Sequence, residues 1–147
     1  MAAPWAYMDT SVLLKRYLDE SGSAEARRLL RRYRVVSSAI APVEATSALW
    51  QRRAVGDVAE TDLQAILKRL AEDRSHWEFV DLTTDVLDRA EHVIRRTGVR
   101  TLDAVHLASV LTIHAANVQR RSAPFITGDA RQRDAATGLG LQVTWVG

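Results

Sequence analysis

Four acidic residues stand far apart in the chain, each beside a turn from an apolar segment into a helix. They are Asp9 after WAYM, Glu44 after VVSSAIAP, Asp103 at the start of DAVHLASVL, and Asp129 after PFITG. Taken singly, each has an ordinary reading. Asp9, Asp103 and Asp129 suit helix caps, and Glu44 suits the first turn of its helix, where negative charge favours the dipole. The chemistry changes if a fold brings the four to one sheet edge. Two unit charges about 5 Å apart cost roughly 3 kcal/mol at an effective dielectric of about 20. A convergent cluster therefore implies raised pKa values or a bound cation. Ligands that offer only oxygen suit Mg²⁺ or Mn²⁺ rather than zinc.

The elements around these residues predict such an edge. Trp5 to Met8 reads as a short buried strand, followed by a helix from Ser11 to Asp19. After Ser21-Gly22-Ser23, the residues Ala26, Leu29, Leu30 and Tyr33 recur at helical spacing. Val35 to Ala39 is the next strand. A helix from Pro42 to about Ala54 ends at Gly56, and Asp57 with Glu60 resembles a cap for another, striped by Leu63, Ile66, Leu67 and Leu70. Trp77 to Val80 predicts a third strand, and Thr84 to Arg96 a helix stopped by Gly98. Asp103 to about Asn117 is apolar nearly all round, the pattern of a buried helix. A strand at Ala123 to Ile126, a short helix at Ala130 to Thr137 and a strand at Leu141 to Val146 complete the chain. Strands alternating with helices predict an α/β fold with a mostly parallel sheet covered on both faces. Sites in such sheets form outside the carboxyl ends of strands, where the strand order switches. Asp9 and Asp129 fall at strand ends, and the helix opened by Asp103 can aim its first turn there.

Composition narrows the chemistry. The 147 residues fit one domain, with 47% hydrophobic and 26% charged residues. There is no cysteine, which excludes disulfides, thiolate metal sites and thiol nucleophiles. No apolar run reaches the roughly 20 residues needed to span a bilayer, and no leader precedes the first strand; a cytoplasmic protein is expected. The sequence pI of 9.4 accompanies a net charge of only +2, a mild sign of polyanion binding. Lysine occurs only at 15 and 68, so arginine carries the positive charge, in a form suited to bidentate phosphate contacts.

The segments YMDTSVLLKRYLDE, SSAIAPVEATSALWQR, LRTLDAVHLASVL and FITGDARQRDAATGLGLQV resemble, in order, the four signature blocks of PIN-domain ribonucleases. More narrowly they resemble VapC-type toxins of toxin–antitoxin pairs, and the resemblance covers nearly the whole chain, residues 1–147, as a single nuclease domain. It implies a three-layer α/β/α sandwich around a parallel sheet of four or five strands in the order 3-2-1-4-5. It also implies an acidic quartet of Asp9, Glu44, Asp103 and Asp129 that binds Mg²⁺ or Mn²⁺, with Ser11 and Thr127 as supporting hydroxyls. The implied activity is metal-dependent hydrolysis of RNA phosphodiester bonds by a toxin that arrests translation or growth. The implied partners are RNA, a VapB-type antitoxin that docks near the helical pair from Pro42 to Arg74, and a second copy of the chain.

Other residues read less sharply. Arg131 and Arg133, just after Asp129, and Arg16, about one turn beyond Asp9, are the arginines best set to touch RNA; the bland alternative is solvated helix surface. His106, three residues after Asp103, reads either as a hydrogen-bonded core histidine or as a catalytic group. Trp50 and Trp77 suit packing in a core or interface, or base stacking. The rival readings are weaker. Asp9-Thr10-Ser11 lacks the second aspartate of haloacid-dehalogenase phosphatases, and the chain lacks the acid pair and late lysine of a receiver domain. A catalytically silent PIN-like module for RNA or protein binding is the remaining alternative.

Overall fold

The strands are short, and the central ones are buried on both faces, which is why the sheet must be covered on both sides. A computed structural model describes residues 2–147. Its five strands are β1 (Trp5–Met8), β2 (Arg34–Ser38), β3 (Glu78–Val80), β4 (Phe125–Thr127) and β5 (Val143–Trp145). All neighbours pair in parallel, in the order β3-β2-β1-β4-β5. This is the predicted α/β sheet in the predicted order.

Side chains alternate across the strands, as the period of two requires. Tyr7, Val36 and Phe125 face one side and pack under α5 (Thr84–Thr97), α6 (Thr101–Ala116) and α7 (Ala130–Gly138). Ala6, Met8, Val35 and Ile126 face the other, against α1 (Thr10–Leu14) and α2 (Ser23–Arg32). The result is the three-layer sandwich. A third cluster joins Tyr17 and Leu18 to α3 (Ala41–Ala54) and α4 (Glu60–Asp73), through Leu49, Leu63 and Leu70. Residues Ala104 to Val110 of α6 are buried without a break, as its apolar character requires.

Some local expectations are corrected. The first helix runs only from Thr10 to Leu14, because Lys15, Arg16 and Tyr17 already bond to carbonyls three residues back. Helix α6 begins at Thr101, two residues earlier than predicted, so Asp103 is its third residue and not its cap. Asp57 is not a cap either. Ala59 occupies the N-cap of α4 and makes no side-chain bond there. The last strand is trimmed to three residues. Trp50 is 49% exposed rather than in the core, with the Arg53 guanidinium near its ring; Trp77 is half-buried where two core clusters meet.

The topology prepares a site. The chain leaves β1 toward β2 and β3, then returns to place β4 on β1's other edge, so the order switches between β1 and β4. Met8 lies opposite Ile126. One residue further, this register brings Asp9 level with Thr127.

Because α6 is the helix most enclosed by the fold, truncating its core face is costly. Leu107→Ala, at a fully buried position, should destabilise by about 2–5 kcal/mol. Leu102→Ala, at a residue 44% exposed, should change stability by less than about 0.5 kcal/mol. Urea unfolding midpoints at constant slope check both.

Candidate metal centre

Two of the four acids are helix caps and still converge. Asp9 caps α1: its Oδ1 accepts from the Val12 amide at 3.4 Å and the Ser11 hydroxyl at 2.5 Å. Its Oδ2 accepts from the Thr127 hydroxyl at 2.5 Å, the contact that the β1–β4 register prepares. Asp129 caps α7 through Oδ1, which accepts from the amides of Arg131 and Gln132 at 2.8 and 3.2 Å. A cap occupies chiefly one carboxylate oxygen, so it can orient an acid without consuming it.

The other two acids lie in first turns. Glu44 sits in the opening turn of α3, behind Pro42. Its Oε1 accepts from Thr10 Oγ1 at 2.8 Å and pairs with His106 Nε2 at 2.7 Å. Asp103 sits in the opening turn of α6. Gln132 donates to the Asp103 carbonyl at 3.1 Å and so ties the starts of α6 and α7 together.

All four acids line one cavity of about 230 Å³, with Thr10, Ser11 and His106. Ser11 also accepts from the Gly128 amide at 2.9 Å, which clamps the β4–α7 loop to α1. Gly128 packs against the Lys15 side chain. A Cβ at that position would stand 2.5 Å from the Lys15 side chain, which is buried and held by Glu20 and the Ser21 carbonyl.

Electrostatics records the convergence. Burial pushes the Asp103 carboxyl above its ordinary pKa; the charges of Asp129, Asp9 and Glu44 push it further, and His106 opposes them. Asp9 is also raised, by burial, against the lowering effect of His106 and of the bonds from Ser11, Thr127 and the Val12 amide. Among the described residues, no three acidic or imidazole side chains stand close enough together, as arranged, to hold one metal ion. Mg²⁺ does not require such a cage, since it commonly uses one or two carboxylates and keeps several waters. The donor set, four carboxylates and neighbouring hydroxyls with no sulfur, fits a hard divalent cation.

The arginines chosen from sequence separate. Arg16 is bound by Asp73, which also accepts from the Tyr17 hydroxyl, and is turned to a structural contact. Arg133 pairs with Asp134 and lies over the Trp145 ring. Arg131 is exposed and lines a second cavity of about 560 Å³ with Arg96, Arg100, Gly98 and Gly138; this cavity shares Asp103 with the first. Arg96 reads as a surface arginine in the sequence, and Arg100, only three residues before Asp103, is passed over there although it occupies the N-cap of the same helix. The tie between His106 and Glu44 was hidden by a separation of 62 residues.

A raised Asp103 pKa carries a definite pH dependence. The folded state holds the proton more tightly than the unfolded state. The stability linked to that proton is complete below the ordinary carboxylate pKa of about 3.9 and is lost as pH rises through the raised value. Without divalent ions, Asp103→Asn should therefore melt at a higher temperature than wild type at pH 7, and the difference should vanish near pH 3.5. Thermal unfolding of both proteins across this range tests the sign.

Comparison with known proteins agrees with this architecture. The PIN domain family matches residues 6–138. Ribonuclease VapC45 of Mycobacterium tuberculosis is 32% identical over 118 residues, covering 75% of this chain and 77% of that protein. A toxin–antitoxin complex from Klebsiella pneumoniae contains a chain of like fold, with a TM-score of 0.64 at 16% identity and 95% coverage of each chain. VapBC2 from Rickettsia felis, bound to a DNA fragment from its promoter, gives a TM-score of 0.62 at 11% identity, covering 95% of this chain and 97% of that one. With its fold, its strand order and its sequence matched over most of its length, the chain belongs to the PIN domain family, beside the VapC ribonucleases.

Proposed function

We propose that this protein is a metal-dependent endoribonuclease and the toxin of a toxin–antitoxin pair. One observation carries the reading. Acids from four separate elements line a single cavity at the β1–β4 switch point, where burial and then the charges of the other three raise the pKa of Asp103. Caps that served stability alone would have no reason to meet there. The M. tuberculosis relative, a ribonuclease, supports RNA as substrate.

Asp9 and Asp103 would be the direct ligands of Mg²⁺ or Mn²⁺. Glu44 and Asp129 would bind it directly or through water, or orient the attacking water. Once bound, such an ion makes water a better nucleophile and neutralises charge gathering on the phosphate. Ser11 and Thr127 hold the Asp9 carboxylate in one orientation. No side chain need attack phosphorus.

The substrate strand would run from the acidic cavity into the neighbouring one. There Arg131, with Arg96 and Arg100, can grip phosphates flanking the cleaved bond. Arg16 and Arg133, held elsewhere, would contribute to the field rather than to contacts. The likeness to a chain of the Klebsiella pneumoniae toxin–antitoxin complex supports an antitoxin as partner. Val43, 64% exposed, and Trp50 line a groove on α3 that offers apolar surface to an antitoxin or a second copy. Among the described residues, no helix is long and apolar enough to cross a membrane. An RNA substrate would be met in the cytoplasm.

Asp9→Ala and Asp103→Asn should reduce Mg²⁺- or Mn²⁺-dependent RNA cleavage to background while the circular dichroism of the fold persists. EDTA should do the same to wild type. Full cleavage in EDTA or in both variants refutes the reading. Arg131→Ala should weaken RNA binding and reduce the slope of log K against log salt by about 0.7, the share of one phosphate contact on a single strand. Fluorescence anisotropy across a salt series measures both.

A further inference from the structure

Three acids of the quartet have an evident local frame: Asp9 and Asp129 cap helices, and Asp103 sits on a buried one. Glu44 does not. Its longer side chain projects from the first turn of α3, and no helix cap holds it. What does hold it is a chain of polar groups running into the core. Tyr7 on β1 is buried, with its ring stacked on Phe125, and its hydroxyl lies 2.8 Å from His106 Nδ1. His106 is 3% exposed, and its Nε2 lies 2.7 Å from Glu44 Oε1. Thr10, beside Asp9, donates to that same oxygen at 2.8 Å.

The protons can be assigned by what each group is able to do. An ionised carboxylate only accepts, so the ring must carry a proton on Nε2. Nδ1 then faces the Tyr7 hydroxyl, which holds the ring in place. Both donors, Thr10 and His106, converge on Oε1. Among the described residues, Oε2 has no hydrogen-bond partner, and Glu44 lines the cavity with the other three acids.

We propose that Tyr7 and His106 are positioning residues: Tyr7 fixes the orientation of the ring, His106 pins Glu44 by Oε1, and Oε2 is left free for the cation or its water. This deepens the metal-centre reading and rests on it. The arrangement has the form of an outer partner that fixes an imidazole, which in turn fixes a carboxylate, and the loss of such partners commonly costs 10–100-fold in metal affinity.

The test is calorimetric titration of Mn²⁺ into the full-length protein at fixed pH, alongside thermal unfolding. Tyr7→Phe keeps the stacked ring and removes only the hydroxyl; it should weaken Mn²⁺ binding by about 10- to 100-fold. His106→Leu and Glu44→Gln should show losses of similar size. His106→Gln should retain most of the affinity, because its amide nitrogen can occupy the place of Nε2. Adding Tyr7→Phe to His106→Gln should cost no further affinity, since an amide set in the place of Nε2 leaves nothing in the place of Nδ1 for Tyr7 to hold. Unchanged Mn²⁺ affinity in Tyr7→Phe, with only the melting temperature lowered, overturns the positioning role. A wild type that binds no Mn²⁺ overturns the metal centre itself, and the positioning role with it.

Discussion

The Asp9 carboxylate is buried at the junction of β1 and β4, and burial disfavours its charge. Much of the surrounding structure answers that cost. The parallel register sets Thr127 beside Asp9, and the turn into α1 supplies Ser11 and the Val12 amide. Each of these donors stabilises the charged form, and each comes from backbone that the hydrophobic sheet already orders. Ser11 also accepts from Gly128, so one network sets the carboxylate and anchors the loop that presents Asp129. Sheet topology and site electrostatics are therefore one problem, solved at the switch in strand order.

The other acids are placed by helices that begin at the same edge. Their opening turns direct positive dipole ends toward the cavity, which eases the gathering of negative charge. The compensation is incomplete. Asp103 rests on a helix buried along most of its length, cannot move away, and carries a raised pKa. A cation that draws charge from all four acids would remove the conflict. In the proposed metal centre, stability and function would thus pull in opposite directions at Asp103, as they commonly do where a fold holds like charges together.

Much of this was legible before folding. Alternating strand and helix patterns gave the parallel sheet, and the apolar run from Ala104 marked the central helix. The acids beside turns were visible too, and the cap and site readings are compatible: Asp129 caps through Oδ1 alone, and Asp9 accepts a single bond on Oδ2, which leaves a lone pair there. What could not be read depends on distant pairing. Asp73 captures Arg16 across 57 residues, and Tyr7 meets His106 across 99. Asp57 resembled a cap by local spacing, but α4 starts after it at Glu60. Trp50 looked like packing, yet α3 turns it outward. Local sequence encodes the elements; partners of long polar side chains follow only from how the elements pack.

The central claim is that these four acids form one cation site at the β1–β4 edge. A crystal of the protein soaked in Mn²⁺ and measured for anomalous scattering tests it most directly. The account predicts a peak in the cavity within direct ligand distance of Asp9 and Asp103, about 2.0–2.2 Å as for other small hard cations, with Glu44 and Asp129 bound directly or through water. A cavity with no peak at millimolar Mn²⁺, or ions bound only at other surface acids, would contradict it.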